Sequence, residues 1–255
     1  MLQTRRKKIL EILEQKEFVK VTELSELLSC SEVTIRNDIK VLDEQGLLLK
    51  THGGAIRAEQ NPVLFNSEKV HRNESEKIAI CREAYKLIQD GDTIIIDDST
   101  TSFYLTKPIR ENRLKQITVV TNSILVATEL LNEKHVNLFL IGGQVSSEMA
   151  ATMGETAMSN IEGYHVDKAF IGAHGISFKV GITSIGTIQM QVKKAIVEAA
   201  KEVIVLADSS KFGGAYLSIV CPIEKVSRVI TDKRISEEYR KEAKSRKIVL
   251  TISSY

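Results

Sequence analysis

The sequence SEVTIRNDIKVLDEQG at residues 31–46 decides the fold of the N-terminal part of the chain. At about 100° per residue, Ile35, Ile39 and Leu42 fall within one narrow sector of a helical wheel. The serine at the start of the stretch is a suitable N-cap, and the glycine at its end is typical of a helix terminus. The stretch therefore predicts an amphipathic helix from Ser31 to about Gln45.

The segments on either side of this helix predict a winged helix-turn-helix. Upstream, apolar residues at helical spacing within 9–13 and 21–28 predict two shorter helices. A tight turn at 29–30 connects the second helix to the third, as in helix-turn-helix motifs. Downstream, residues 47–52 predict a strand, and the two glycines that follow it predict a hairpin that forms a wing.

The face of the third helix opposite its apolar sector carries groups that suit the major groove of DNA. Arginine pairs with guanine, asparagine pairs with adenine, and the small apolar Val33 can contact a thymine methyl group. Hydroxyls and free N–H groups at the helix start can bind phosphates. A solvated polar face of a small helical bundle is the alternative interpretation of the same wheel. The predicted DNA contacts are Ser31, Thr34, Arg36, Asn37, Lys40, Lys50 and His52.

Four short segments of this region resemble the DeoR family of bacterial regulators of sugar metabolism. They are VTEL at 21–24, SEVTIRND at 31–38, LDEQG at 42–46 and HGGA at 52–55. In that family the helix with the Thr-Ile-Arg-x-Asp pattern is the recognition helix, so the resemblance implies the same role here. Asp38 lies beside the apolar sector of the wheel, and we expect it to brace the basic first helix rather than face phosphates.

Composition sets limits on the class of protein. The formal net charge is only +2, and residues 1–57 hold ten Lys and Arg against nine Asp and Glu, so DNA binding depends on where the charges lie. The chain has no apolar run near 18 residues, so we expect no membrane-spanning helix. The basic N-terminus is followed by an amphipathic segment that contains glutamates, which is unlike a secretory signal peptide. Three scattered cysteines indicate reduced thiols, and we expect a cytoplasmic protein.

Beyond residue 57 the pattern changes. Residues 58–75 are polar and lack a clear period, which predicts a linker between residues 1–57 and a second domain at 76–255. Short β-branched runs that alternate with amphipathic helices are typical of a mainly parallel sheet covered on both faces. The predicted fold is a small α+β winged helix-turn-helix head followed by an α/β domain. The runs are Thr93–Ile96, Ile117–Val120, Val136–Ile141, Ala169–Ile171, Val203–Leu206, Val229–Ile230 and Ile248–Ile252.

Small and polar residues follow these runs. In an open parallel sheet, ligands bind outside the carboxyl ends of the strands. Ser99-Thr100-Thr101 leads into a predicted helix that could hold a phosphate, lysines supply positive charge, and Asp and Asn can bind sugar hydroxyls. The same residue types also form ordinary turns, and Lys193-Lys194 also fits a solvated helix face. The predicted effector contacts are Asp97, Ser99, Thr100, Thr101, Asn122, Gly143, His174, Lys193, Asp208 and Lys211.

The resemblance to the DeoR family extends over nearly the entire chain, with DKAFIG at 167–172 and DSSKF at 208–212. It implies a sensor domain similar to ribose-phosphate isomerase and the CoA transferases, and an effector that is a phosphorylated sugar or sugar alcohol. Ser99 departs from the family, which frequently has glycine there, and His174 and Ser177 stand where acidic residues are frequent. His174 could select a particular effector or be a structural histidine.

The resemblance thus implies a repressor of a carbohydrate-utilisation operon. We expect it to bind double-stranded operator DNA as a homo-oligomer, either a dimer or a tetramer. We also expect the effector to modulate its affinity for DNA. The alternative is an isomerase-like enzyme fused to a DNA-binding head, with Asp97, Asp98 or Asp208 as the base. No Gly-x-Gly-x-x-Gly follows a predicted strand, so we expect no dinucleotide cofactor. The five histidines and three cysteines do not cluster, so we expect no metal site, and we predict no catalytic residues.

Overall fold

The computed structural model describes residues 2–16, 18–44, 48–51, 53–57 and 70–254. The chain divides into two compact units, Met1–Pro62 and Val63–Tyr255. The predicted helix stop at Gly46, the wing residue His52 and most of the predicted linker lie outside the described residues.

The N-terminal unit is a winged helix-turn-helix, as predicted. Its three strands form an antiparallel sheet in the order β1-β3-β2, so the wing hairpin pairs with the strand that follows the first helix. The helices are α1 (Leu2–Gln15), α2 (Val21–Leu27) and α3 (Glu32–Glu44). The strands are β1 (Phe18–Lys20), β2 (Leu48–Thr51) and β3 (Gly54–Arg57).

A single apolar core holds this unit together. The three residues that define the predicted buried face of α3 are all buried in this core, which confirms the helical wheel. Burial of apolar side chains is the main favourable term in folding a unit of this size. The buried core consists of Ile9, Leu13, Val19, Val21, Leu24, Ile35, Ile39, Leu42, Leu48 and Ala55.

Asp38 joins α3 to α1 from within this unit. Its carboxylate is buried, with Oδ2 2.5 Å from Arg5 Nε and Oδ1 2.9 Å from Arg6 Nε. Burial alone would raise the pKa of Asp38, but the hydrogen bonds from the two arginines outweigh burial and hold that pKa below its ordinary value. The prediction that Asp38 braces the basic first helix is therefore confirmed.

The C-terminal unit is built on a seven-stranded parallel sheet in the order β15-β14-β12-β9-β4-β5-β6. Each of the seven predicted apolar runs forms one of these strands. The strands of this sheet are β4 (Thr93–Ile96), β5 (Ile117–Thr121), β6 (Val136–Leu140), β9 (Val166–Gly172), β12 (Ala200–Leu206), β14 (Arg228–Thr231) and β15 (Leu250–Ile252).

Helices cover both faces of the sheet. Side chains alternate between the two faces along each strand, so Ile95 packs in one core while Ile94 and Ile96 pack in the other. The helices on the Ile94 side are α4 (Glu74–Leu87), α6 (Thr106–Glu111) and α7 (Ile124–Leu130). Those on the Ile95 side are α8 (Gly154–Glu162), α9 (Thr187–Ala199) and α10 (Glu237–Ser245). The short α5 (Thr100–Phe103) follows β4.

The helix α4 begins at Glu74, within the last residues of the predicted linker. Two small antiparallel sheets were also not predicted from the sequence. The added strands are only three or four residues long, so their apolar alternation is too short to stand out. One sheet has the order β10-β11-β13 and the other pairs β7 with β8. These strands are β7 (Gln144–Ser146), β8 (Ala151–Met153), β10 (Gly175–Ser177), β11 (Gly181–Ser184) and β13 (Ser218–Cys221).

Asp38→Asn should destabilise the N-terminal unit by about 1–3 kcal/mol at neutral pH, because two charge-assisted hydrogen bonds are weakened. A carboxylate with a lowered folded pKa stabilises above its unfolded pKa of about 3.9, and this stabilisation is lost as the pH falls through the folded pKa. The difference between wild type and variant should therefore shrink at acidic pH.

The measurement is hydrogen exchange of amides in residues 2–57, followed in the full chain at several pH values. Glu11→Gln, which changes an exposed carboxylate on α1, is the matched control. Equal protection of wild type and Asp38→Asn at pH 7 would show that the bridge between α1 and α3 contributes no stability.

Candidate nucleic-acid interface and effector site

The outward face of α3 presents the side chains that sequence analysis assigned to base contacts. Val33 is 73% exposed, and Arg36, Asn37 and Lys40 are also exposed. The Arg36 guanidinium lies 2.7 Å from Glu32 one turn earlier, which holds it along the helix while leaving most of it accessible to solvent. A cation, an amide and a small apolar group thus lie on one surface of suitable chemistry for a major groove.

The start of α3 is organised by its own hydroxyls. Ser31 Oγ accepts the Thr34 N–H at 3.2 Å, the geometry of an N-cap, and the two hydroxyls are 2.8 Å apart. In the wing, the Lys50 N–H donates to Asp43 Oδ1 at 2.9 Å, so the hairpin is tied to the end of α3 and the Lys50 side chain is exposed. The structure describes six of the seven predicted DNA contacts. Two of the six, Ser31 and Thr34, form the cap at the start of α3. The other four have exposed side chains, three on α3 and one on the wing.

The second candidate site lies at the carboxyl ends of the parallel strands. Along the chain, β4, β5 and β6 extend the sheet to one side, and the chain then returns to add β9 and the later strands on the other side of β4. The direction of winding therefore changes between β4 and β9. Ligands of open parallel sheets bind at such a switch point, outside the strand ends.

Asp97 occupies this switch point and is fully engaged by the protein. Its carboxylate accepts the N–H of Ser99 at 3.0 Å, the N–H of Gly172 at 2.9 Å and a hydrogen bond from Lys193 Nζ. Asp97 is 0% exposed and Lys193 is 2% exposed. The pair therefore joins β4, β9 and α9 and has no acceptor or donor surface open to solvent.

Lys193 and Lys194 differ in environment. The expectation that both could form a solvated helix face holds for Lys194 and is wrong for Lys193. Burial would lower the pKa of Lys193, but the charges of Asp97 and Asp98 outweigh burial and raise that pKa above its ordinary value. Lys193 therefore stays charged as the buried partner of a carboxylate.

A chain of polar side chains continues from this pair. Gln189 Nε2 donates to Asp98 Oδ2 at 2.7 Å, and Gln189 Oε1 accepts from Ser184 Oγ at 3.2 Å. Ser184 Oγ lies 3.3 Å from His174 Nδ1. Burial and the neighbouring charge of Asp97 raise the pKa of Asp98, and its Oδ1 is buried with no hydrogen-bond partner among the described residues.

Ser99 fills the space between β4 and β9. A Cβ on Gly172 would lie 2.3 Å from the Ser99 side chain, so the two strand ends approach each other closely only because residue 172 has no side chain. Ser99 Oγ also caps α5 by accepting the Ser102 N–H at 3.1 Å. Thr101 is buried, whereas Thr100 remains partly exposed at the start of this short helix.

Asn122 and Gly143 lie at the ends of β5 and β6. Asn122 is buried, its Nδ2 donates to the Thr152 carbonyl at 3.2 Å, and its Oδ1 has no partner among the residues that the structure describes. A Cβ on Gly143 would lie 2.8 Å from the Met153 carbonyl oxygen, so a glycine is needed where β8 passes. Gly143 is thus required by packing, and Asn122 offers an unused acceptor.

Asp208 and Lys211 follow β12 on the other side of the switch point. Asp208 is buried and accepts the Ser210 N–H at 3.0 Å, which forms a tight turn, and Lys211 is half-buried one turn later. Asp232, after β14, accepts the Ser209 N–H at 2.6 Å and so fixes the same turn from the next strand.

Sequence analysis missed Lys77, Gln189 and Ser184. Lys77 is buried on α4 and donates to the Val70 carbonyl at 2.9 Å. Burial lowers the pKa of Lys77 to about 8, and the charge of Asp208 partly offsets this effect. A lysine, a glutamine and a serine within helices and strands carry no local signal of burial, so only their tertiary neighbours identify them.

Comparison with known proteins covers both units. A family model described as a DeoR-like helix-turn-helix domain matches residues 5–61, and one described as a DeoR C terminal sensor domain matches residues 72–233. The HTH-type transcriptional regulator YulB of Bacillus subtilis is 34% identical over 97% of this chain and 95% of its own length. A putative aga operon transcriptional repressor of Escherichia coli O157:H7 is 30% identical over 91% of this chain and 86% of its own length. Ribose 5-phosphate isomerase A of Methanocaldococcus jannaschii matches 55% of each chain with 24% identity and a TM-score of 0.40.

Lys193→Met should destabilise the C-terminal unit by about 3–5 kcal/mol, because it leaves the Asp97 charge buried without a partner. Lys194→Met removes the same charge from an exposed neighbouring position and should change stability by no more than about 0.5 kcal/mol. Adding Asp97→Asn to Lys193→Met should recover part of the loss, since residue 97 is then neutral and is no longer a buried charge without a charged partner. Urea unfolding of all variants tests this, and equal stability of the two lysine variants would exclude an anchoring role for the pair.

Proposed function

Because the chain belongs to the DeoR family of HTH-type transcriptional regulators, we propose that it represses a carbohydrate-utilisation operon and that a phosphorylated sugar or sugar alcohol modulates its affinity for operator DNA. Residues 1–57 bind the DNA, residues 76–255 sense the effector, and residues 58–75 connect them. The aga operon relative is named as a putative transcriptional repressor, which supports repression as the direction of regulation.

The observation that carries the DNA-binding proposal is the exposed face of α3. Arg36, Asn37 and Lys40 project from a helix whose opposite face is buried, and Ser31 with Thr34 lies at its start. In helix-turn-helix proteins the second helix of the motif enters the major groove and its first turns contact base edges. The exposed side chain of Lys50 then contacts the phosphate backbone from the wing, and His52, which lies outside the described residues, is proposed as a further contact.

Two buried acceptors without hydrogen-bond partners support the effector proposal. Asp98 Oδ1 and Asn122 Oδ1 lie after neighbouring strands of the sheet and lack hydrogen-bond donors within the described chain. Buried polar atoms are almost always hydrogen-bonded, and sugar hydroxyls are donors of the required kind. These acceptors would bind the hydroxyls of the effector together with His174 and Asp208.

The phosphate of the effector would lie near Thr100 and Lys211. Thr100 combines a partly exposed hydroxyl with the start of α5, and Lys211 places a cation on the opposite side of the switch point. Ser99, Thr101, Asp97, Lys193 and Gly143 would then act by holding the strand ends at the correct spacing. This division assigns phosphate contact to the two partly exposed groups and support to groups that the protein itself already engages.

We also propose that the protein acts in the bacterial cytoplasm, where operator DNA is found, and as a homo-oligomer. Among the described residues, no helix is both long enough and apolar enough to span a bilayer. The relatives are named as regulators, which points away from the isomerase alternative. An assay of pentose-phosphate isomerisation tests that alternative directly, and turnover by the purified chain would revive it.

Arg36→Ala should weaken operator binding by about 1–3 kcal/mol and relax the base preference at one position of each half-site. Lys50→Ala should weaken binding to all sequences similarly and reduce the salt dependence by about one ion. Arg82→Ala, which removes an exposed arginine from α4, is the charge-matched control and should leave binding unchanged. Footprinting and affinity measurements on randomised operators distinguish these cases, and an unchanged base preference of Arg36→Ala would remove α3 from the readout.

Thr100→Val should abolish the response to the effector while leaving DNA binding in its absence intact, because only the hydroxyl is lost. A thermal-shift panel of hexose and pentose monophosphates, with the unphosphorylated sugars as controls, identifies the ligand, since saturation at 100 times the dissociation constant stabilises by about 2.7 kcal/mol. Thr156→Val on the exposed face of α8 is the control variant. Calorimetry in which Thr100→Val and Lys211→Ala bind the identified ligand as tightly as wild type would place the site elsewhere.

A further inference from the structure

Four polar side chains at the strand ends form a continuous series of hydrogen bonds, which we call the Asp98–His174 network. It runs from Asp98 through Gln189 and Ser184 to His174, with heavy-atom separations of 2.7, 3.2 and 3.3 Å. The first three side chains are buried, and His174 is partly exposed at the end of the network. Because every buried donor needs an acceptor, the proton positions along the network depend on one another.

Secondary structure holds each member of this network in place. On α9, Gln189 lies one turn before Lys193, and both donate to carboxylates that follow β4. Continuing the antiparallel register of β10 and β11 by one residue places Ser184 beside His174. The ring of Tyr216 packs edge to face on the imidazole, with centroids 6.2 Å apart. In this arrangement Nδ1 is the imidazole nitrogen that faces Ser184.

The charge of Asp98 sets the direction of every hydrogen bond in the network. A carboxylate can only accept, so the Gln189 amide presents its Nε2 donors to Asp98 and its Oε1 acceptor to Ser184. The Ser184 hydroxyl has one proton, which this bond uses, so its oxygen accepts from His174 Nδ1. The proton of a neutral imidazole at this position therefore lies on Nδ1, and Nε2 is an acceptor.

Lys193 supports the charged form of Asp98. Its Nζ lies 4.0 Å from Asp98 Oδ1, and this positive charge opposes burial and the charge of Asp97, which both raise the pKa of Asp98. A protonated Asp98 would donate to Gln189, reverse its amide and move the imidazole proton to Nε2. The two charge states of Asp98 therefore predict opposite proton positions on His174.

We propose that Gln189 is a positioning residue which, through Ser184, holds His174 with its proton on Nδ1 and an acceptor at Nε2. A group that binds His174 through Nε2 must then be a donor. A hydroxyl meets that condition, whereas the oxygens of a fully ionised phosphate only accept. This consequence rests on the function proposed above, and it orients the effector with a hydroxyl toward His174 and its phosphate toward Thr100 and Lys211.

Nitrogen-15 NMR of the histidine side chains tests this assignment on the full chain at neutral pH, without DNA or ligand. Protonated and unprotonated ring nitrogens have well-separated chemical shifts, and His174→Gln identifies the signals of His174 among the five histidines. Wild type should have the proton of His174 on Nδ1. Gln189→Met should move that proton toward Nε2, because the released Ser184 hydroxyl then donates to Nδ1.

Gln191→Met, at an exposed position two residues further along α9, is the matched control and should keep the proton of His174 on Nδ1. Ser184→Ala keeps the assignment testable if Gln189→Met does not fold, since it removes the contact with the imidazole and should give a mixture of both forms. The assignment is overturned if wild type carries the proton on Nε2, if both ring nitrogens carry protons, or if neither network variant changes the proton position.

The sugar monophosphates of the thermal-shift panel, beginning with ribose 5-phosphate and glucose 6-phosphate, test the consequence for the effector. A sugar phosphate that stabilises wild type should leave Nε2 of His174 unprotonated in the complex. A second proton on the imidazole would place the phosphate beside His174 and overturn the orientation. Failure of every sugar phosphate to bind would contradict the proposed function, while the proton position measured without ligand would stand.

Discussion

The buried ion pair between Asp97 and Lys193 is the constraint on which the C-terminal unit depends. Two charges withdrawn from water are stable only when each is paired and their remaining hydrogen-bonding capacity is satisfied. Asp97 meets that condition by also accepting the backbone N–H groups of Ser99 and Gly172. One carboxylate thereby fixes β4, β9 and α9 at the point where the winding of the sheet reverses, which is where a parallel sheet of this kind places its ligand site.

Adjacent residues of the same type at these strand ends have different environments, although the sequence alone does not distinguish them. Asp97 and Asp98 are adjacent aspartates after the same strand, yet the hydrogen-bonding capacity of Asp97 is used, while Asp98 retains one buried oxygen that has no hydrogen-bond partner and lies 4.0 Å from Lys193 Nζ. The same contrast holds for Lys193 and Lys194, of which one is buried and one is exposed. Neighbouring residues thus differ in burial and in hydrogen bonding because their side chains point in different directions.

In the N-terminal unit, the positions of the charged side chains matter more for DNA binding than the net charge. Its positive and negative residues nearly balance, so its total charge would not attract DNA strongly. Asp38 withdraws Arg5 and Arg6 into a bridge between α1 and α3, while Arg36 and Lys40 stay on the outward face. A buried acid on one side of the helix and exposed cations on the other give α3 both its position and its chemistry.

The sequence by itself determined the winged helix-turn-helix, the seven strands of the parallel sheet and the outward face of α3, because each depends on a periodic pattern long enough to detect locally. It also placed the polar residues at the strand ends, since every strand of a parallel sheet ends at the same edge. Only the tertiary structure decided that Lys193 is buried and that Lys77 and Gln189 lie beside the site. Those outcomes depend on partners distant in the chain, such as Asp97 and Lys193, which are 96 positions apart, and no local pattern encodes them.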